Sequence, residues 1–180
     1  PLQHISAKIL KRMGRGITRA ATVTLLEKLR DRIDGLIIRT SFIVGFPGET
    51  QQQFDELLDF VSDFQFDSIG IFEYSPEPGT PAAKMGDQIS AKLAAERAAE
   101  IMAAQEEITI SANEAIIGAP LEILVDGVDE AGATIGRYYG QAPDIDGVCI
   151  LTEPCEVGTI IQGTIVAAQE YDLVVEPQKA

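Results

Sequence analysis

The sequence predicts an α/β protein in two parts, a segment of a (βα) barrel followed by a small antiparallel β-barrel of about five strands. Three observations support this prediction. Helical and strand-like apolar patterns alternate up to residue 115, and short β-rich runs separated by Gly and Asp replace them from Pro120 onward. The 180 residues are 46% apolar and 23% charged, which is typical of a folded core.

Each element of the first part has its own signal. Apolar side chains at helical spacing predict helices over 7–13 and 19–33, the second with Thr18 as its N-cap. The β-branched run 36–46 fits a strand buried on both faces, as in a parallel sheet. The remaining elements show the same two periodicities: a helix capped by Thr50, a strand over 68–76 and a helix over 89–115 whose apolar stripe includes Ile101 and Met102.

The second part has a different texture. Its β-rich runs are short and regularly spaced, and Gly and Asp separate them, which predicts a small antiparallel barrel. We therefore predict two domains, 1–118 and 119–180, with the segment IIGAP as the joint between them.

Charge is unevenly distributed in a chain whose net charge is −14. Residues 1–34 hold eight Lys or Arg against three Asp or Glu, whereas residues 119–180 hold two against eleven. Such an acidic domain makes nucleic acid a poor partner and suits a basic protein; the other interpretation is that acidity only maintains solubility. We assign substrate docking to four acids in predicted turns: Asp126, Asp129, Asp144 and Asp146.

Several classes of protein are excluded. Two cysteines outside any CxxC pair exclude a disulfide-dense scaffold and a structural zinc site, and His4 is the only histidine available to a hydrolase triad. No apolar run is long enough to cross a bilayer and no secretory signal is present, so we expect a cytoplasmic protein without a membrane partner. Because the chain opens on Pro1, we expect it to be part of a longer protein.

Five segments, in this order, carry a resemblance to a known family: PLQHIS (1–6), KRMGR (11–15), RTSFIVGFPGET (39–50), YSPEPGTPAA (74–83) and GRYYGQAPDIDG (136–147). The set resembles the radical S-adenosylmethionine methylthiotransferases over residues 1 to about 175. The last segment is more similar to the branch that modifies a ribosomal protein than to the branch that modifies transfer RNA. The resemblance implies the C-terminal part of the partial, TIM-like radical SAM barrel, followed by the OB-like barrel called TRAM.

The resemblance also implies an activity for the parent enzyme. It would insert a methylthio group at an aspartate β-carbon of the small-subunit ribosomal protein at the decoding centre, after hydrogen abstraction by a 5′-deoxyadenosyl radical. Its cofactors would be S-adenosylmethionine and 4Fe-4S clusters, whose cysteine ligands are not in this chain. No catalytic or metal-binding residue is therefore assigned, and we expect the chain alone to be inactive. The alternatives are the transfer-RNA-modifying branch and a non-enzymatic protein-binding module.

Cofactor-binding residues follow from the same resemblance. Gln3 and His4 come after what resembles the end of a barrel strand, where they could face the cofactor ribose. Arg39 lies in an apolar run, so we expect it to be buried and paired, either with a carboxylate of the barrel or with the methionyl carboxylate of the cofactor.

The turn after the next strand supplies further residues. Gly45 lacks a Cβ, which would let the backbone approach the adenine, and Phe46 would pack either on the base or into the barrel. Tyr74 ends the following strand on the same side, where it would line the site or pack at the strand end. We expect Cys149 to be a small hydrophobic residue in the core or at the surface of the TRAM barrel.

Overall fold

A computed structural model describes residues 1–178 as two compact units, the first Pro1–Ile108 and the second beginning at Thr109. The helices are α1 (Ala7–Arg12), α2 (Arg19–Arg32), α3 (Gln51–Phe64) and α4 (Ala91–Ala115), with a short 3-10 helix at Ala82–Lys84. The strands are β1 (Arg39–Val44), β2 (Ser68–Glu73), β3 (Pro120–Val128), β4 (Thr134–Arg137), β5 (Cys149–Leu151), β6 (Ile160–Gln169) and β7 (Asp172–Pro177).

The sheet of the first unit is parallel, as the sequence predicts. β1 and β2 pair in register from Arg39 opposite Ser68 to Val44 opposite Glu73. On the other side of β1, the single residue Gln3 continues the sheet, because its N–H donates to Ser41 and its carbonyl accepts from Ile43, both at 2.8 Å. One face of β1 is fully buried and the other is half-buried or exposed. The prediction of a strand buried on both faces is therefore correct for one face only.

Helix α3 covers the buried face of β1 with an amphipathic stripe. Its side chains Phe54, Leu57, Phe60 and Val61 are all buried. A capping box fixes its start, because the Thr50 hydroxyl accepts from the Gln53 N–H and the Gln53 amide accepts from the Thr50 N–H. The helix therefore begins where the sequence predicts it.

The long helix α4 buries a stripe that differs from the one expected. Ala94, Arg97, Ile101 and Gln105 are buried, whereas the side chain of Met102 is 39% exposed. Apolar periodicity does not predict the burial of the two long polar side chains, Arg97 and Gln105. Each satisfies a backbone carbonyl: Arg97 donates to Glu49 at 3.2 Å, and Gln105 donates to Phe66 at 2.9 Å. The stripe is thus partly polar because loop carbonyls face it.

The second unit contains a closed five-stranded barrel in the order β3-β4-β5-β7-β6, which confirms the predicted fold class. Its strand pairs are antiparallel except for β5 and β7, which run parallel. The side chains inside it include Ile123, Val125, Cys149, Ile165 and Val175. The two compact units separate within α4, and the domain boundary at residue 118 stays a prediction. No helix in the described part of the chain is long and apolar enough to span a membrane.

Candidate functional site

A cavity of about 590 Å³ lies at the carboxyl ends of the two parallel strands. Phe46 reaches it from the turn after β1, Tyr74 from the residue after β2, and Gln3 from the neighbouring segment of the sheet. Ligand sites of parallel α/β proteins lie at this edge of the sheet. Three of the six predicted cofactor-binding residues therefore meet in one cavity.

Two aromatic side chains form one wall of the cavity. The rings of Phe46 and Tyr74 contact each other edge to face, with centroids 5.2 Å apart. The Tyr74 N–H continues the sheet by donating to Val44 at 2.9 Å, which fixes the position of the residue. The Tyr74 hydroxyl is buried and has no hydrogen-bond partner in the described part of the chain. Because a buried hydroxyl without a partner costs about 1–3 kcal/mol, this oxygen is a candidate contact for a ligand.

Gln3 is held in an unusual conformation at the cavity. Its φ angle is +72°, in the left-handed region that non-glycine residues seldom adopt. Both backbone polar groups of Gln3 are used in the sheet, which leaves the side-chain amide as the polar group that this cavity residue can offer to a ligand. Strained residues of this kind are concentrated at binding sites, because the surrounding structure holds them in place.

His4 lies in the core beside the cavity and does not line it. Its Nδ1 accepts the N–H groups of Ile5 and Ser6, each at 2.9 Å, so the proton is assigned to Nε2. Nε2 lies 3.4 Å from Glu49 Oε1. The geometry directs both ring nitrogens to protein atoms, whereas we expected this side chain to face the ribose.

Glu49 is the centre of a buried polar network that the sequence analysis missed. Its carboxylate is fully buried, accepts the Gly45 N–H, and lies 3.3 Å from Arg97, whose side chain is 4% exposed. His4 completes the set of donors. Arg97 also lies over the Phe54 ring, with 5.2 Å to the centroid. One signal was available: Arg97 is four residues before Ile101 on the apolar side of α4, where a cation requires an acidic partner.

Gly45 is needed for packing rather than for space inside the cavity. A Cβ built on it would lie 2.5 Å from the Cβ of Ala94 in α4, and its φ angle is +73°. Both facts require glycine at this position. The expected open space for an adenine beside Gly45 is therefore filled by a helix of the protein itself.

The expected burial of Arg39 is wrong. The residue is exposed and is the first residue of β1, at the amino end of the strand. Six residues of extended chain, about 20 Å, separate it from Gly45 and the cavity edge. Arginine at the start of a strand can reach solvent even when the rest of the run is apolar, which the pattern did not reveal.

The expected position of Asp126 in a turn is also wrong. It lies within β3, and its carboxylate is ion-paired with Arg137 of the neighbouring strand β4. Both side chains are 31% exposed. The acid therefore forms a cross-strand pair at the barrel surface. The sequence did not show this, because an Asp followed by Gly127 is as typical of a turn as of the exposed face of a strand.

The other three acids of the predicted docking set lie in loops, as predicted, but two of them hold those loops together. Asp129 Oδ1 accepts the N–H groups of Ala131 and Ala133, at 2.9 and 2.8 Å. Asp146 Oδ2 accepts the Ala142 N–H at 2.6 Å. Asp144 is exposed and makes neither a side-chain hydrogen bond nor an ion pair within the described residues.

The cysteines do not form a cluster site. No group of three or more His, Cys, Asp or Glu residues in the described chain is arranged to hold a metal ion. Cys149 is a core residue of the barrel rather than a surface one, and its burial raises the pKa of its thiol to about 12. A metal ligand requires the thiolate, which this environment disfavours.

Comparison with known proteins identifies the class. Residues 1–61 match the radical SAM superfamily model, and residues 117–177 match the TRAM domain model. Most of the cavity-lining residues, from Gln3 to Phe46, lie in the segment that matches the radical SAM superfamily, and the barrel described above matches the TRAM domain.

The relatives are more specific. The chain is 42% identical to the ribosomal protein uS12 methylthiotransferase RimO of Bdellovibrio bacteriovorus, 44% to that of Desulforamulus reducens, and 43% to that of Clostridium botulinum strain Loch Maree. These alignments cover 97–98% of this chain and 39–40% of the relatives. The chain matches RimO-type radical SAM methylthiotransferases over almost its whole length, which confirms the resemblance, and it spans about two-fifths of the length of these relatives.

The radical SAM family implies S-adenosylmethionine and iron–sulfur clusters in general. The cavity residues fit the nucleoside part of S-adenosylmethionine, because an aromatic wall and Gln3, whose side chain is an amide, line one space, and the buried Tyr74 hydroxyl has no partner within the described residues. The described residues do not fit an iron–sulfur cluster, since no three potential ligands lie together.

Proposed function

We propose that this chain is part of an enzyme that adds a methylthio group to an aspartate β-carbon of uS12, the small-subunit ribosomal protein at the decoding centre. The observation that carries the proposal is the 42–44% identity to RimO proteins over 97–98% of the chain. The cavity and the acidic barrel support it, since one suits a nucleoside cofactor and the other a basic protein. A ribosomal substrate would place the enzyme in the cytoplasm.

Within that enzyme, Gln3, Phe46 and Tyr74 would hold the nucleoside part of S-adenosylmethionine. When bound at a reduced 4Fe-4S cluster, this cofactor supplies the radical that abstracts a hydrogen atom. The cluster ligands would lie elsewhere in the parent protein. His4 and Gly45 would act indirectly, because they fix the Glu49 carboxylate and the turn that carries Phe46.

The TRAM barrel would dock the substrate. Arg137 is the only Lys or Arg among its described residues from Ala119 onward, and it is already paired with Asp126; Lys179 lies outside the described residues. A surface of this charge attracts a basic ribosomal protein and offers few cations for phosphate groups. Asp144 is the residue of the predicted docking set that the fold does not use.

The test uses the full-length protein that contains this chain, reconstituted anaerobically with iron and sulfide and supplied with S-adenosylmethionine and a reductant. Purified uS12, small ribosomal subunits and transfer RNA are offered in parallel. Mass spectrometry should find a methylthio group on one aspartate of uS12 and none on transfer RNA. A methylthiolated transfer RNA would move the protein to the other branch, and uS12 binding without any modification would favour a binding module.

A further inference from the structure

Two arginines give the cavity a positive charge in a strongly acidic protein. Arg12 ends α1 and Arg15 follows it, and both line the cavity together with Met13 and Gly14. The lining residues include no Asp or Glu, although the chain holds 28 acids against 14 Lys and Arg. The local charge therefore has the opposite sign to that of the whole molecule.

Neither arginine is neutralised within the described chain. Arg12 contacts the sulfur of Met85 at 3.8 Å, and Arg15 donates to the carbonyl of Pro1 at 3.1 Å. Neither forms an ion pair with a carboxylate of the described residues. Three arginines elsewhere in the described chain do pair with carboxylates: Arg30 with Asp67 at 3.8 Å, Arg97 with Glu49 at 3.3 Å, and Arg137 with Asp126.

Both arginines line the cavity and are exposed to solvent. The Arg12 guanidinium lies against Gly48, where any Cβ would overlap it. Gly14, with a φ angle of +77°, ends the helix and turns the chain, and the Arg15 N–H returns to the Leu10 carbonyl at 2.8 Å. Phe46 and Tyr74, the two aromatic residues described above, line the same cavity.

We propose that Arg12 and Arg15 bind the side-chain carboxylate of the aspartate to be modified. This inference rests on the proposed function. Guanidinium groups bind carboxylates through two parallel hydrogen bonds, which fix orientation as well as charge. In aspartate the β-carbon is bonded directly to the carboxylate carbon, so holding the carboxylate also positions the carbon that reacts. An asparagine would lose the charge, and a glutamate would place a different carbon at that position.

The test measures binding separately from turnover in the full-length protein. The affinity for uS12 is compared with that for uS12 carrying Asn in place of the modified aspartate, in the wild type, in Arg12→Gln/Arg15→Gln, and in Lys11→Gln. Lys11 is exposed on the same helix and does not line the cavity, so its variant removes a positive charge without touching the site. The affinity for S-adenosylmethionine is measured on the same proteins.

We expect the wild type and Lys11→Gln to bind the aspartate form roughly tenfold more tightly than the asparagine form. The double arginine variant should lose that preference and keep its affinity for S-adenosylmethionine. A double variant that keeps the preference overturns the inference, as does a wild type without it. Loss of S-adenosylmethionine affinity with the preference intact would assign the pair to the carboxylate of the cofactor. A wild type that neither binds nor modifies either form of uS12 would instead contradict the proposed function.

Discussion

At the scale of single residues, Glu49 shows what the sequence could and could not predict. The motif GFPGET marked the turn correctly, and the Thr50 cap that follows it is present. The buried carboxylate could not be predicted, because its partner Arg97 lies 48 residues away on another element. The contact between His4 and Glu49 was missed for the same reason. The two residues are far apart in the sequence, so nothing near His4 shows that its ring meets a carboxylate of the protein instead of the cofactor.

Glu49→Ala should lower the free energy of unfolding by about 3–5 kcal/mol, because it leaves the Arg97 guanidinium buried without its counter-ion. Urea denaturation of the chain measures this change. Glu100→Ala is the matched control, since Glu100 is an exposed acid on the same helix as Arg97, and its change should stay within about 0.5 kcal/mol. Equal effects of the two substitutions would show that the network contributes nothing specific.

Gly45→Ala should be more destabilising than Gly79→Ala. Both glycines have positive φ angles, +73° and +87°, so alanine carries a similar backbone cost at each. Only at Gly45 does the new Cβ meet another side chain, 2.5 Å from Ala94, whereas Gly79 has open space. The difference should be about 1–3 kcal/mol in the free energy of unfolding, the usual cost of overpacking. If both variants lose the same free energy of unfolding, the space beside Gly45 is open and the packing explanation is wrong.

At the scale of elements, the sequence predicted the helices and strands well because each signal is local. Apolar periodicity and caps lie within one helix, and β-branched runs lie within one strand. The pattern failed where burial depends on a neighbouring element: α4 buries Arg97 and Gln105 in place of Met102, and Arg39 reaches solvent at the start of β1. The parallel pairing of β5 and β7 was missed because strand order in a barrel is a long-range property.

Cys149 should make the barrel lose stability at high pH. Burial raises its pKa in the folded chain to about 12, from 9.0 for the free thiol. Above pH 9.0 the unfolded chain releases the thiol proton while the folded chain keeps it, so the free energy of unfolding falls as pH rises toward about 12. Between about pH 8 and pH 10.5 the wild type should lose about 2 kcal/mol more than Cys149→Ala, measured by denaturant unfolding. If the free energy of unfolding of the two proteins changes with pH in the same way, the pKa of the Cys149 thiol is not raised by burial.

Asp129 should stabilise the turn between β3 and β4. Asp129→Ala removes the acceptor of two backbone N–H groups, those of Ala131 and Ala133, and should cost about 1–2 kcal/mol of unfolding free energy. Asp144→Asn removes the same charge from the same barrel at a residue without such contacts; asparagine tolerates the φ angle of +62° at this position, so thermal unfolding should hardly change. If the two variants unfold alike, the Asp129 contacts do not contribute to stability.

At the scale of the whole molecule, charge gave the sign of the proposed partner but not the residues that contact it. Eleven acids against two cations over residues 119–180 favour a basic partner whatever the fold. Which acids are available depends on the structure: Asp126, Asp129 and Asp146 serve the barrel itself. The same holds for Arg12 and Arg15. Their positive charge is visible in the basic segment 1–34, but only the fold shows that they line a cavity whose charge is opposite to the net charge of the protein.

The most direct test of the central claim is the mass of uS12 purified from cells that produce the protein containing this chain. Deleting its gene should remove a methylthio group from one aspartate of uS12, and restoring the wild-type gene should return it. Transfer RNA from the same cells should carry the same modifications throughout. An unchanged uS12 mass in the deletion strain, or the loss of a methylthio group from transfer RNA, would contradict the assignment.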